Sequence, residues 1–183
     1  MNEATKTTLF NVGAILGKLG VEERQEVAEL GCGNNGLFIF SLARLVGKEG
    51  RVYAIDILKS SLEEIKKEAT NRNMPQITTI WSNLEIFKAT KIENGKIDRA
   101  LLVNVLHQSD KRPEIIREAI RMLKRKGRLL IIEWKSEDLP LGPRPERRVK
   151  IEALKAAAPK LGLDLTEEFD AGPFHYGLIF IKL

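Results

Sequence analysis

The stretch Val27 to Gly36, V-A-E-L-G-C-G-N-N-G, runs from a short apolar segment through an acid into a glycine-rich turn, and the apolar pattern L-F-I-F-S-L-A-R-L-V follows at once. A strand that turns this sharply into a helix is the opening of a parallel α/β unit. Gly31 and Gly33 can take positive φ and let a ligand lie against bare backbone, while the first amides of the following helix point at whatever sits there. A second acid stands where such sites place one. Asp56 closes R-V-Y-A-I-D, 20 residues after Gly36, so a carboxylate at the end of the next parallel strand can hold both hydroxyls of a ribose. The two features together predict an adenosine-containing cofactor.

Beyond this opening, strand and helix patterns alternate with little irregular sequence between them, which predicts a doubly wound α/β fold with a mostly parallel sheet. After R-V-Y-A-I-D, Ser60 or Ser61 is placed to cap the helix S-L-E-E-I-K-K-E-A. Ile77 to Trp81 is rich in β-formers, and I-D-R-A-L-L-V-N-V-L-H follows the turn Asn94-Gly95. Pro113 suits the first turn of the helix E-I-I-R-E-A-I-R-M-L-K, and Gly127 is read as its end before the strand R-L-L-I-I-E-W. The proline-rich stretch L-P-L-G-P-R-P marks residues 135–150 as a loop, with a helix expected near Arg147 to Leu161. The last two strand patterns, Leu163 to Phe169 and His175 to Lys182, are separated only by D-A-G-P-F. A connection that short holds no crossover helix, so these strands are expected to be antiparallel neighbours.

Composition narrows the function. At 183 residues and 43% hydrophobic content, the chain can bury one substantial core, so residues 1–183 are read as a single domain carrying both cofactor and substrate sites. No apolar run approaches the roughly 20 residues of a membrane helix, and M-N-E-A-T-K shows no leader pattern, so the expectation is a soluble, cytoplasmic protein. The lone Cys32 lies inside the glycine turn, where a backbone contact is a better reading than a nucleophile. The net charge of +5 comes largely from Lys111 to Arg128 and Arg144 to Lys150. Glutamates interrupt both runs and no aromatic residues interleave with them, which favours solvated helix faces over a nucleic-acid surface.

A five-stranded parallel sheet ending in an antiparallel pair, with E-L-G-C-G-N-N-G, Y-A-I-D-I, W-S-N-L and V-N-V-L-H in that order, resembles the class I S-adenosylmethionine-dependent methyltransferases. With K-R-K-G-R-L-L-I-I-E-W and the closing F-H-Y-G-L-I-F, the likeness is to the small-molecule branch that contains quinone-biosynthesis enzymes. The resemblance implies a Rossmann-like seven-stranded sheet in three α/β/α layers. It implies S-adenosylmethionine as cofactor, no metal, a small-molecule methyl acceptor, and leaves a homodimer among the assemblies to expect. It places Glu29, Gly31, Cys32, Gly33, Asn34, Asp56, Ile57, Asn83, Leu84 and Asn104 around the cofactor. Glu29 suits the methionine ammonium, and the helix start after Asn34 its carboxylate. Asn83 departs from the family's aspartate at the adenine amino group but keeps a carbonyl acceptor. The third glycine falls at Gly36, leaving Asn35 to take a left-handed conformation.

Methyl transfer from a sulfonium is an in-line displacement, so alignment and exclusion of water matter more than a fixed acid. On the acceptor side the sequence offers His107 as a base or orienting group, with Glu133, Trp134 and Tyr176 nearby and His175 as an exposed polar residue at a hairpin start. The segment T-T-L-F-N-V-G-A-I-L-G-K-L is read as a short cap helix within residues 1–25. G-C-G-N-N-G also fits a nicotinamide fingerprint, but Phe40 occupies the position that usually holds a small packing residue. A non-catalytic methyltransferase-like subunit is the other alternative.

Overall fold

A computed structural model describes residues 10–137 and 141–183. Seven strands form one sheet: β1 (Glu26–Leu30), β2 (Arg51–Asp56), β3 (Ile77–Trp81), β4 (Ile97–Val103), β5 (Leu123–Trp134), β6 (Leu163–Asp170) and β7 (His175–Lys182). Their order is β3-β2-β1-β4-β5-β7-β6. The first five are parallel, and β7 inserts antiparallel between β5 and β6. This is the sheet expected from the sequence, including its antiparallel end.

The central strands read as near-continuous apolar runs because both faces are covered. Side chains alternate along each strand, so Leu129 and Ile131 of β5 join one core while Leu130 and Ile132 join the other. The first core is covered by α4 (Arg112–Met122) and α5 (Ile151–Ala157). The second is covered by α1 (Val12–Leu19), α2 (Ile39–Val46) and α3 (Lys59–Asn71). Chain order reverses at β1, which lies between β2 and β4. The carboxyl ends of β1 and β4 therefore open a crevice at the point where helices leave toward opposite faces.

Several local expectations are corrected. α3 begins at Lys59 with Leu58 at its cap and no capping side chain; Ser61 is buried within the helix, and the Leu58 N–H instead donates to Asp56 Oδ1 at 2.9 Å. Gly127 does not end α4, because the chain becomes extended at Leu123. It lies inside β5, where a Cβ would stand 2.9 Å from the Lys124 carbonyl oxygen. The end of α4 is held by Lys182, whose Nζ donates to the Ile120 and Leu123 oxygens at 2.7 Å each, a cation at the negative end of the helix dipole. The helix expected near Arg147 to Leu161 is α5 flanked by two single 3₁₀ turns, Pro145–Arg147 and Pro159–Leu161, since Pro159 lacks the N–H to continue it.

α1 starts with Asn11 capping through its Oδ1 and ends at left-handed Gly20. It lies beside α2, with Ile15, Leu16 and Leu19 in the core, and Arg99 near the start of β4 donates to the Leu19 and Gly20 oxygens at its far end. Residues 1–9 of the expected cap segment lie outside the described residues.

Candidate active site

The glycine turn is built where β1 meets the crevice. The Gly31 and Cys32 N–H groups donate to the Ile55 oxygen at 2.7 and 3.1 Å, and the Gly33 N–H donates to Asp56 Oδ2 at 2.9 Å. The ends of β1 and β2 are thus tied together by the turn. Gly31 has φ +79°, and a Cβ there would lie 2.5 Å from a Val105 methyl, so glycine is needed both for conformation and for the close approach of the segment after β4.

The third glycine serves packing. Gly36 has φ +59° and would bring a Cβ to 2.3 Å from the Phe40 ring, which also carries the Arg72 guanidinium at 4.4 Å. Gly36 thus makes room for the aromatic residue that the nicotinamide fingerprint does not expect. Asn35 is not left-handed, as had been expected; Gly36 takes that conformation, and Asn35 Oδ1 accepts the Leu37 N–H at 3.2 Å. α2 starts at Ile39, not directly after Asn34, so turn residues rather than the first helical amides border the crevice.

Two contiguous cavities flank the turn. One of about 220 Å³ is lined by Glu29, Gly31, Cys32, Gly33, Asn34 and Asn104, with Phe10, Phe38 and Gln108 closing it. The other, about 320 Å³, is lined by Gly31, Gly33, Asp56, Ile57, Asn83 and Leu84, with Ser82, Glu85, Val105, Ser109 and Ile115. All ten residues expected at the cofactor border one or both. Sequence reasoning did not single out Gln108 or Ser109, although they directly follow V-N-V-L-H, nor Ile115 or Phe10.

Two of the four buried side-chain polar atoms without a partner among the described residues, on Glu29 and Asn104, belong to residues that line the smaller cavity. Glu29 is 4% exposed and, among the described residues, its Oε2 has no hydrogen-bond partner. Burial, reinforced by the nearby Asp56 carboxylate, pushes its pKa up to about 8. Asn104 Oδ1 and His175 Nδ1 are buried without partners too. Asn104 stands at φ +57°, and its Nδ2 donates to His175 Nε2 at 3.2 Å. His175 is fully buried, not exposed as the hairpin start had implied. Its ring packs against Phe10 and Trp134, with centroids 4.7 and 4.2 Å away. Burial, with the charges of His107 and Lys135, lowers its pKa to about 4. The Cys32 thiol is held in its neutral form by burial and by the Glu29 and Asp56 carboxylates, which removes the nucleophile reading.

At the larger cavity, Asp56 uses one lone pair of each oxygen on the Gly33 and Leu58 N–H groups, leaving each oxygen able to accept again. Asn83 Oδ1 accepts the Glu85 N–H at 2.9 Å. Ile57, Leu84 and Val105 provide apolar surface for a flat ring.

His107 lies in the 3₁₀ turn Leu106–Gln108 after β4 and borders neither cavity. It stands behind Asn104, where Glu133 receives its Nδ1 at 2.9 Å. Two arginines lash the neighbouring segments to this turn. Arg147 Nε donates to the His107 oxygen, Arg112 Nε to the Leu106 oxygen, and Arg112 Nη2 to the Arg147 oxygen. Tyr176 donates to the Val149 oxygen at 2.7 Å and is a packing residue.

A family model described as a methyltransferase domain matches residues 22–168. The chain belongs to the methyltransferase domain family. It is 26% identical over 157 residues to the ubiquinone/menaquinone biosynthesis C-methyltransferase of Francisella tularensis, covering 85% of this chain and 60% of that one. It is 38% identical over 61 residues to the aklanonic acid methyltransferase of a Streptomyces strain, covering 33% of this chain and 27% of that one. The chain therefore spans 60% or less of the length of these relatives. A SAM dependent methyltransferase from Aquifex aeolicus has the same fold, with a TM-score of 0.86 at 21% identity over 96% of this chain and 91% of that one.

The Aquifex protein is described as SAM dependent, and the crevice of this chain has groups that fit S-adenosylmethionine. The bare Glu29 oxygen suits an ammonium, and no atom lies within 4 Å of where a Gly33 Cβ would stand. Asp56 retains acceptor capacity for a diol. The nicotinamide alternative is set aside. Among the described residues no helix is long and apolar enough to cross a membrane.

Proposed function

We propose that this domain transfers a methyl group from S-adenosylmethionine to a small-molecule acceptor. The observation that carries this reading is the unpartnered Glu29 oxygen beside the glycine turn, because a buried carboxylate held half-satisfied is costly unless a cationic ligand completes it. In this reading Gly31, Cys32, Gly33 and Asn34 border the methionine end with backbone. Asp56 accepts from the ribose hydroxyls, Ile57 and Leu84 flank the adenine, Asn83 meets its edge, and Asn104 lies near the reacting methyl. The cofactor supplies an activated methyl on a sulfonium, whose sulfur keeps the bonding electron pair while the acceptor's lone pair forms the new bond. His107 takes the proton the acceptor loses.

A small acceptor is favoured over nucleic acid because the basic residues are engaged within the chain. Arg112, Arg121, Arg147 and Arg148 all donate to backbone carbonyls, which takes these four out of any phosphate-binding face. Calorimetric titration with S-adenosylmethionine and, separately, NADH tests the cofactor. Saturable binding of the first alone is expected; binding of NADH alone would overturn the proposal. A screen of metabolite extracts for S-adenosylmethionine-dependent mass gain then tests transfer. Cofactor binding without gain in any extract would favour the non-catalytic subunit.

A further inference from the structure

The chain has two imidazoles, and their surroundings differ in one respect that matters for proton transfer. Among the described residues His175 has no acidic partner: its Nε2 accepts from Asn104, and its ring is held neutral between Phe10 and Trp134. His107 faces a carboxylate. Glu133, fully buried near the carboxyl end of β5, accepts the Leu106 N–H at 2.6 Å and the His107 N–H at 3.3 Å through Oε1. Its Oε2 lies 2.9 Å from His107 Nδ1.

An ionised carboxylate only accepts, so Nδ1 must carry a hydrogen. A neutral imidazole carries one N–H, so Nε2 is left with a lone pair. The ring is fixed from the backbone side as well, because the Arg147 Nε donates to the His107 oxygen at 3.1 Å. Its side chain is 14% exposed, so the basic nitrogen is neither sealed in the core nor free in solvent. His107 follows β4, and its partner Glu133 lies on β5 opposite Tyr176 of β7, so the pair stands on the β4–β5–β7 side of the cleft.

We propose that Glu133 is the positioning residue of a Glu133–His107 pair, fixing His107 in the Nδ1–H tautomer so that Nε2 takes the acceptor's proton. This rests on the methyl-transfer reading. On transfer the acceptor's X–H proton moves to Nε2 while its electron pair goes to the methyl carbon. His107 becomes an imidazolium, the buried Glu133 carboxylate balances its charge, and the proton leaves to water when the product is released. Glu133 touches neither cofactor nor acceptor. It acts through the ring, as the acid of an acid–histidine pair does. Its two backbone bonds also make the turn that carries His107 part of the same unit.

The presence of only two histidines makes the test direct. Long-range proton–nitrogen NMR of the uniformly labelled chain, with the His107→Gln variant assigning the signals, reads the tautomer of each ring without any acceptor. His107 is expected as Nδ1–H, and observing it as Nε2–H in the unaltered protein overturns the proposal. In Glu133→Gln the amide oxygen can keep the Leu106 and His107 N–H groups while its NH₂ donates to Nδ1, which forces the ring to Nε2–H. Diethyl pyrocarbonate, which reacts at an unprotonated imidazole nitrogen, should then modify His107 about tenfold more slowly. An unchanged rate in a variant with an unaltered melting curve also overturns the proposal. If Glu133→Gln does not fold, the tautomer in the unaltered chain still decides. S-adenosylmethionine affinity, measured alongside, separates the two readings. Failure of the unaltered chain to bind sinks methyl transfer whatever the tautomer, while normal binding with an Nε2–H ring sinks the Glu133 assignment alone.

Discussion

Glu118 in α4 and Glu29 at the end of β1 are carboxylates buried to a similar degree in the same fold, and they end in opposite states. Glu118 is saturated. Its oxygens accept the Lys88 and Thr90 N–H groups at 2.8 and 3.1 Å and Arg121 Nε and Nη2 at 2.9 and 2.8 Å. Arg121 in turn donates to the Ile92 and Thr90 oxygens and Asn94 Oδ1, so the pair straps the segment after β3 onto α4. Burial alone would raise the pKa of Glu118, but the Arg121 and backbone hydrogen bonds bring it below its ordinary value. Glu29 has no such set, keeps an oxygen bare, and is raised to about 8. One carboxylate has its desolvation offset within the chain and stabilises the fold. The other keeps an unpartnered oxygen, which in the proposed function a ligand completes.

Replacing each in turn separates the two roles. Glu118→Ala leaves Arg121 buried without its counter-charge and should cost about 3–5 kcal/mol of stability, read as a lowered melting temperature by scanning calorimetry, with loosened hydrogen exchange between Lys88 and Asn94. An unchanged melting temperature would erase the contrast. Glu29→Gln should do the reverse. Cofactor affinity should fall by about 1.5–3 kcal/mol, roughly ten- to a hundredfold, while the cofactor-free protein at pH 8 becomes no less stable.

The pH dependences should have opposite signs. With its native pKa raised above the unfolded value, Glu29 stabilises the cofactor-free fold most at low pH, and that contribution declines as pH rises from its ordinary value near 4.5 toward 8. Glu118, lowered, contributes above its ordinary value and is lost in acid. Because a cationic ligand selects the ionised form, binding of S-adenosylmethionine below pH 8 should take up the deprotonated state and release a proton to buffer. Affinity should then rise by up to about one decade per pH unit until near pH 8. Calorimetry in two buffers of different ionisation enthalpy measures that proton, and its persistence in Glu29→Gln would assign it elsewhere. The smallest effect expected is for Tyr176→Phe, which removes only the bond to the Val149 oxygen and should cost about 1 kcal/mol with cofactor affinity unchanged.

How much of this was legible in the sequence follows from the range of the forces involved. Strand periodicity, the turn Asn94-Gly95 and the five-residue link before His175 are local, and the parallel strands and antiparallel final pair came from them, whereas the insertion of β7 between β5 and β6 did not. The ten residues lining the crevice were found because motif position specifies a strand end, and strand ends converge at the reversal beside β1. What was misread depends on packing across the fold. Gly36 reads as a displaced ligand glycine until Phe40 and Ile65 are seen against it. His175 reads as an exposed hairpin residue until Phe10 and Trp134 enclose it. The arginines read as a solvated face, yet Arg121 and Arg148 are largely buried and Arg112 and Arg147 bond carbonyls from elements distant in sequence. No spacing announces that Glu133 meets His107, because the two are brought together only by the β4–β5 pairing and the turn that follows.

The proposed role of Glu29 is to receive the ammonium of S-adenosylmethionine. The most direct test compares, by calorimetry, the affinity of the unaltered chain and of Glu29→Gln for S-adenosylmethionine and for 5′-methylthioadenosine, which has the nucleoside but not the amino acid. The account predicts a ten- to hundredfold loss confined to S-adenosylmethionine, with the nucleoside bound equally by both proteins. Equal affinities for S-adenosylmethionine, or the same loss for both ligands, would contradict it.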